Sequence, residues 1–434
     1  EITNAGGDYT ATDTTVQWTG CIIGGIPVIN NGVDYPQQWD LDYSTPGTLT
    51  DLTGFSSQAD KCGALRAYKN YLVAMDVVKS GIRYPSLVKW SDSSALGSVP
   101  LSWDKDDATT DAGETELAGT RTDINVGVCL DGAVLRDSFI VYKDDSIWSM
   151  NFIGGTFVFE FRKIYSAQGM LARKCMAEFE GKHFVVGQSD VFVHDGANFK
   201  SVIDTKRKDD LFNRIDPDYY DRTYVFANYT AHEMWVCFVD RAAGITWPNV
   251  AYIWNWRHNS WSERNLPSNT AHIEGGLVDT TDTADIWSAN DGTWATWDTE
   301  WGEDVGLNPS KPSPCMACDG VVYKGDQTNQ FAGVNFTSTV ERTDIPLGEQ
   351  DGFARIKAVY PRMRGECIKV DVGAQMAPGG TVQWNGLSDF TPGTDQKLDV
   401  RVTGTHAAIK VQCDTDADWE MSGIDIEYEF ISRR

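Results

Sequence analysis

Between Val250 and Trp261 apolar and polar positions alternate. Tyr252, Trp254 and Trp256 interleave with Ala251, Ile253 and Asn255, the two-residue period of a β-strand with its aromatics on one face. His258, Asn259 and Ser260 supply a polar tight turn, and Trp261 restarts an apolar segment. The run Met234-Trp-Val-Cys-Phe-Val239 just before it is β-branched and aromatic. Together these predict an antiparallel unit of about forty residues, recurring at irregular spacings looser than those of a well-marked repeat family.

Similar units recur along the chain. Gly24-Gly-Ile-Pro-Val-Ile-Asn-Asn-Gly32 leads to Gln38-Trp39, with Asn31-Gly32 as a turn signal. Tyr71 to Met75 leads to Leu87 to Trp90. Ser138 to Tyr142, Ile147-Trp148 and Phe157 to Phe161 form a third unit. His183 to Val186 and Val191 to Phe199 form a fourth around Asp195-Gly196. A helix is predicted over 206–215, with Leu211, Phe212 and Ile215 on one side and Pro217 ending it. The Val250 stretch is the fifth unit. Gly275 to Val278 with Asp285 to Trp294 make a sixth. After a crossing rich in proline (Pro309, Pro312, Pro314), Gly320 to Tyr323 with Gln330-Phe331 make a shorter seventh.

Trp148, Phe192, Trp254 and Trp287 head the second strand of four units. A lone hairpin is not stable in water, so each must bury a face on its neighbours, and radial packing does this while protecting edges. The expected fold is therefore all-β: a β-propeller of six to seven blades over 17–335, after a polar linker or truncated end at 1–16. A pair of β-sandwiches is the alternative. From about Thr337 the texture changes to short alternating strands at 359–364, 368–372, 382–384, 397–402, 408–412 and 424–430, which predict a β-sandwich over 337–434. In it Ile368, Val370 and Val372 face in and Lys369 and Asp371 face out. The polar, acidic segment Asp104 to Glu116 reads as a surface loop.

Composition adds exclusions. The 434 residues exceed one ordinary domain, and no apolar run reaches the length of a membrane span. No secretion signal is recognisable. The chain opens at Glu1 with no initiator Met, which reads as a fragment or processed product. A net charge of −25 repels the phosphate backbone and anionic membranes. Nine cysteines (21, 62, 129, 175, 237, 315, 318, 367 and 413) are scattered through apolar runs and read as buried free thiols of a reducing compartment.

Candidate chemistry is sparse. Cys315-Met-Ala-Cys318 is a CxxC without two further ligands nearby. Six histidines (183, 194, 232, 258, 272 and 406) fall in different units, none at metal-ligand spacing with another, and read as turn or core residues. Asp414-Thr-Asp-Ala-Asp418 begins like a calcium loop, but Trp419 stands where the sharp turn needs Gly. Ser288-Ala-Asn-Asp-Gly-Thr-Trp294 is similar to the Asp-box of sialidase-like propellers, yet it does not recur. No nucleophile elbow, zincin helix or phosphate loop occurs. The reading is a chain with no catalytic, cofactor-binding or metal-binding residues, which is not an enzyme and carries no cofactor.

Several stretches carry a resemblance. Tyr142-Lys-Asp-Asp-Ser-Ile-Trp-Ser-Met150 through Phe157-Val-Phe-Glu-Phe161, Asp216-Pro-Asp-Tyr-Tyr-Asp-Arg-Thr223, Ala251 to Trp256 with Trp261, and Trp419-Glu-Met-Ser-Gly-Ile-Asp-Ile-Glu-Tyr-Glu-Phe430 to Arg433-Arg434 resemble the tail nozzle (tail tubular B-like) proteins of short-tailed bacteriophages. The resemblance implies a structural virion protein, six copies of which form a ring below the adaptor and portal. Genomic DNA leaves through the lumen without specific binding, and tail fibres or spikes attach at the flank. It implies assembly in the host cytoplasm and no membrane insertion. An acidic lumen would offer no counterion-releasing contacts, letting DNA slide. A propeller that binds or cleaves glycans is the alternative function, and a monomeric scaffold for other proteins a third class.

Overall fold

The computed structural model describes residues 3–4, 18–39, 48–117, 127–155, 157–267, 270–276, 313–318, 321–325, 330–331, 334–348, 352–366 and 368–433. It divides into two units, Glu1–Lys324 and Gly325–Arg434, so the division falls ahead of the expected junction at 335–337.

The first unit is built from consecutive antiparallel sheets, each formed by neighbouring strands in chain order. The first sheet holds Thr19–Ile23, Ile26–Asn30, Gln37–Trp39 and Thr48–Asp51, and Thr3–Asn4 adds a fifth strand parallel to the last. A strand thus sits inside the expected linker, most of which lies outside the described residues. The second sheet comprises Lys61–Tyr68, Tyr71–Lys79, Ile82–Trp90 and Gly113–Glu116. The third comprises Cys129–Leu135, Ser138–Lys143, Ser146–Phe152 and Phe159–Ser166, and the fourth Met176–Phe179, Lys182–Val186, Val191–His194 and Phe199–Ser201. The fifth comprises Tyr224–Asn228, Glu233–Phe238, Val250–Asn255 and Ser260–Asn265, and the sixth Thr270–Gly276, Ser313–Cys318 and Val321–Lys324.

The pairing corrects several expectations. Val321–Lys324 belongs to the sixth sheet and does not open a seventh; Gln330–Phe331 pairs instead with Val334–Asn335. Residues 285–294, with the Asp-box-like stretch, lie outside the described residues. The acidic segment is not all loop: Gly113–Glu116 is the outer strand of the second sheet. There Glu114 bonds Lys79 at 2.8 Å and the buried Lys89 at 3.1 Å, so a carboxylate that reads as solvated neutralises two lysines. Finally Trp148, Phe192 and Trp254 occupy third strands, not second ones. Each of those units has an extra first strand that its sequence hides.

The cores lie between consecutive sheets. One cluster joins the first and second sheets (Val28, Leu65, Leu72 and Trp103 among others), a second joins the second and third (Tyr68, Val73, Phe139, Phe159), a third runs through sheets three to five, and a fourth joins five and six (Phe226, Trp235, Ile273, Met316). Alternate residues of one strand therefore serve different cores. In Tyr71–Lys79, Leu72 and Ala74 face the first sheet while Val73 and Met75 face the third. A strand covered on both faces reads as a continuous apolar run, each fully buried large side chain contributing about 1.5–3 kcal/mol. Phe184 stacks on Trp254 with centroids 5.5 Å apart, tying sheets four and five.

The helix Thr205–Arg214 lies between sheets four and five, within a residue of its expected bounds, and Asp204 caps its N-terminus by accepting from the Arg207 amide. Leu211 enters the core beside Ile215. At the other end Arg214 donates to Asp240 at 2.6 Å, Glu263 at 2.9 Å and the Tyr252 hydroxyl at 3.0 Å. Arg214→Met would strand the mostly buried Asp240 carboxylate. We expect it to lower unfolding free energy by about 2 kcal/mol in urea denaturation, discounted for the exposure of Glu263; an unchanged midpoint would show that this network only decorates the surface.

In the second unit, Ser338–Pro346, His406–Cys413, Ile368–Gln375 and Gln383–Trp384 form one sheet with Ser388–Phe390 attached, and Leu398–Gly404, Gly352–Gly365 and Trp419–Arg433 form another. Both contribute to one core around Ile356, Val370, Val400 and Val411. Ile368, Val370 and Val372 are buried as expected. Asp371 is not outward in solvent but buried, accepting from the Gly386 amide at 2.9 Å. The Asp414–Asp418 stretch is the turn before Trp419–Arg433, where Lys369 reaches Asp414.

Candidate functional site

The six first strands converge. Residues from Thr19–Ile23, Lys61–Tyr68, Cys129–Leu135, Met176–Phe179, Tyr224–Asn228 and Thr270–Gly276 line a single cavity of about 700 Å³. Most neighbouring first strands touch one another around it. A strand at such a position has one edge paired within its own sheet and the other facing the cavity. Its cavity-facing side chains can therefore be polar without cost to any core.

Arg66 and Asp131 hold the wall together. Arg66 donates from Nε and Nη2 to the two Asp131 carboxylate oxygens at 2.8 and 2.7 Å, a bidentate pair, and from Nη1 to the Gly20 carbonyl at 3.1 Å. Asp131 also accepts from the amides of Gly132 at 2.8 Å and Lys174 at 3.3 Å. One ion pair thus links sheets one to three and the Lys174 backbone leading into the fourth. Burial alone would raise the Asp131 carboxyl, but Arg66 and the two amides hold it below the usual carboxylate range.

Opposite them, Lys174 Nζ lies 3.3 Å from His272 Nε2, which is also 3.3 Å from Glu274 Oε2. The His272 ring packs on Tyr224 with centroids 4.6 Å apart. Burial lowers the Lys174 ammonium from its ordinary range, partly offset by Glu274. Burial likewise lowers His272, with the Lys174 charge adding to the effect. Glu274 is raised by burial but more than compensated by His272 and Lys174, and ends low. Tyr229 closes part of the rim, donating to the Glu178 carbonyl at 2.8 Å.

The other singled-out residues are dispersed. Cys315 and Cys318 lie on one strand, where positions three apart point to opposite faces, so they cannot share a metal from that strand alone. The eight described cysteines are free thiols. Burial pushes Cys21 and Cys129 up to about 12, which leaves them unreactive. His183 and His194 come together across sheet four with Tyr142, away from the cavity. Among the described residues, His272 alone of the histidines reaches the cavity wall. Among those residues too, no group of three or more His, Cys, Asp or Glu converges as a metal site would require, and no helix is long and apolar enough to cross a membrane. Sequence reasoning missed Arg66, Asp131, Lys174 and Glu274, because nothing in their spacing marks them; the first strands that carry or flank them are short or interrupted by charge and glycine.

No protein-family model matches the chain, and no curated relative does. Solved structures with some likeness include an exo-β-1,3-galactanase from Phanerochaete chrysosporium with galactose, at 8% identity, TM-score 0.31 and 98% coverage of both chains. The dihydro-heme d1 dehydrogenase NirN in complex with DHE matches at 10% identity and TM-score 0.37, over 89% of this chain and 67% of that one. The extracellular domain of a hybrid two component system from B. thetaiotaomicron matches at 8% identity and TM-score 0.31, over 50% of this chain and 25% of that domain's length. At these scores the likeness carries no argument about function.

Proposed function

We propose that this chain is a structural component of a bacteriophage tail, a nozzle protein acting as a ring rather than as an enzyme. The observation that carries the reading is the resemblance of residues 142–161, 216–223, 251–261 and 419–434 to that family. The described part of those residues falls on strands and turns of the third and fifth sheets, on the turn and short 3-10 helix Tyr220–Arg222 that lead into the fifth, and on the long last strand of the second unit. They shape packing, as a family signature should if the product is a scaffold. We read the six sheets as blades of one propeller, supported by their shared cavity and the cores between successive sheets, and the second unit as a sandwich, supported by the single core its two sheets share. The pairing of Arg66 with Asp131 also suits a wall held rigid more than a group poised to react.

In this reading six copies surround a lumen whose acid repels DNA, and fibres or spikes and the adaptor ring are the partners. The test is imaging of the purified chain, and of particles containing it, by negative stain and native mass. A six-fold ring with an open channel is expected, with no DNA retained at low salt. A ring that retains duplex DNA at low salt would overturn the passive-conduit reading. A chain that stays monomeric in the particle and cleaves glycans on an array would replace it with the carbohydrate-active alternative.

A further inference from the structure

Lys174 is placed in an unusual way. Its φ is +59°, the left-handed region that costs a non-glycine residue energy and persists only where surroundings impose it. Two bonds impose it here. The Lys174 amide donates to Asp131 and its carbonyl accepts from the Val225 amide at 2.8 Å. The strain directs a half-buried ammonium at the cavity, where its one side-chain partner among the described residues is His272 Nε2.

That partner is over-committed. One imidazole nitrogen can accept from an ammonium or donate to a carboxylate, but not both at once. When Nε2 accepts from Lys174, Glu274, whose side chain is 76% exposed, turns to solvent; when Nε2–H donates to Glu274, the half-buried Lys174 loses its acceptor. The remaining charged groups do not relieve this. Arg66 gives three of its N–H groups to Asp131 and Gly20, its charge matched by the Asp131 carboxylate, and Glu178 is a further acid on the rim. A ligand anion seated on Lys174 would satisfy the ammonium and release His272 to donate to Glu274.

We propose that the cavity binds a small hydroxylated carboxylate through the Lys174 ammonium, with Glu274 and Glu178 accepting from its hydroxyls and the Tyr229 ring beside it. The volume of about 700 Å³ is in the range of small-molecule sites and exceeds what a hexose-sized acid needs. The carboxylate is favoured over a dianion because the acids Asp131, Glu178 and Glu274 outnumber the cations Arg66 and Lys174 on the wall. Such binding is independent of any role in a tail, because it concerns the interior of the first unit.

The probe is D-glucuronate, titrated calorimetrically into the full chain beside D-glucose and sulfate, at up to roughly 20 mM, enough to detect a millimolar Kd. Saturable binding of glucuronate alone is expected. Lys174→Gly should weaken it at least tenfold while keeping or raising the melting temperature, because glycine adopts the left-handed backbone freely. In histidine-detected NMR the His272 ring signals should move on binding while those of His183 and His194 stay. No saturable glucuronate binding, equal binding of sulfate, or unchanged affinity in Lys174→Gly would each overturn the proposal. A Lys174→Gly chain that fails to fold would be replaced by Lys174→Asn, judged by the same tenfold criterion.

Discussion

Replacing Asp131 by asparagine is expected to cost about 3 kcal/mol of unfolding free energy, the largest loss of any single substitution in the cavity wall. The carboxylate is 1% exposed and takes four bonds: two from Arg66, one from the Gly132 amide and one from the Lys174 amide. Asparagine keeps one acceptor oxygen and turns an amide group toward a guanidinium. Arg66 is then left largely buried without its counter-charge. Breaking such a pair by removing one partner typically costs about 3–5 kcal/mol. The Arg66 side chain is 24% exposed, which screens part of the loss and sets the expectation at the lower end. Because the pair links first strands of successive sheets, the loss should appear as a lower urea midpoint with an unchanged slope. The companion experiment is Arg66→Met with Asp131→Leu. Removing both charges leaves no unpaired charge, which replacements of this kind often tolerate, although the Gly132 and Lys174 amides and the Gly20 carbonyl lose a partner. The double variant is therefore expected to recover part of the loss. If the double variant is as unstable as Asp131→Asn alone, the two charges do not neutralise each other and something other than their pairing holds the wall.

How much of this was legible in the sequence follows from which face each strand buries. Second and third strands such as Tyr71–Lys79 and Val250–Asn255 are covered on both sides and read as apolar runs. Turns with Asn31-Gly32 or Asp195-Gly196 mark their ends: Gly32 and Gly196 have φ of +77° and +89°, which glycine alone adopts without strain. The helix was legible too, since Asp204, the Leu211–Ile215 face and Pro217 are local signals. The first strands were not. Cys129-Leu-Asp-Gly-Ala-Val-Leu135 carries Asp131 in its middle, and Met176-Ala-Glu-Phe179 is only four residues long. A strand with one edge on a cavity lined by polar groups needs neither full apolarity nor regular alternation. The candidate site is built from the part of the sequence with least pattern, so its residues could be found only after pairing brought them together. The same logic explains Glu114 and Asp371. An acid in a polar-looking stretch reads as solvated until its partner, a buried lysine or a turn amide, is placed beside it.

The other large effect expected is acid lability arising from a buried histidine pair. His183 and His194 are 0% and 1% exposed, and the Tyr142 hydroxyl lies 2.7 Å from His183 Nδ1 and 2.7 Å from His194 Nε2. The partners fix the protons. The Val134 carbonyl, 2.9 Å from His183 Nε2, can only accept, so that nitrogen carries hydrogen and Nδ1 is bare. Tyr142 therefore donates to His183 and must accept from His194 Nε2–H, which leaves His194 Nδ1 to accept from the Gly196 amide at 3.3 Å. Every atom is satisfied with both rings neutral, and a further proton has no acceptor to face. Burial pushes His183 down to about 4 and His194 down to about 3, the neighbouring ring adding to the latter. Both lie below the ordinary value of 6.5, so between those limits the unfolded chain binds more protons than the folded one. The contribution to stability is complete above about pH 6.5 and is lost as pH falls toward about 4. Near pH ~5 the difference approaches two protons, and the loss between about pH 7 and 5 sums to about 4 kcal/mol. Urea denaturation at roughly half-unit steps across that range reads this directly. In a Tyr142→Phe, His183→Leu, His194→Leu variant the slope should fall, leaving what His272, also held low by burial, contributes, whatever the variant's stability at neutral pH, because carboxylates titrate mainly below this window. A wild-type midpoint that holds constant across the range, or a triple variant with the wild-type slope, would mean that the rings take up protons without unfolding the sheets they join.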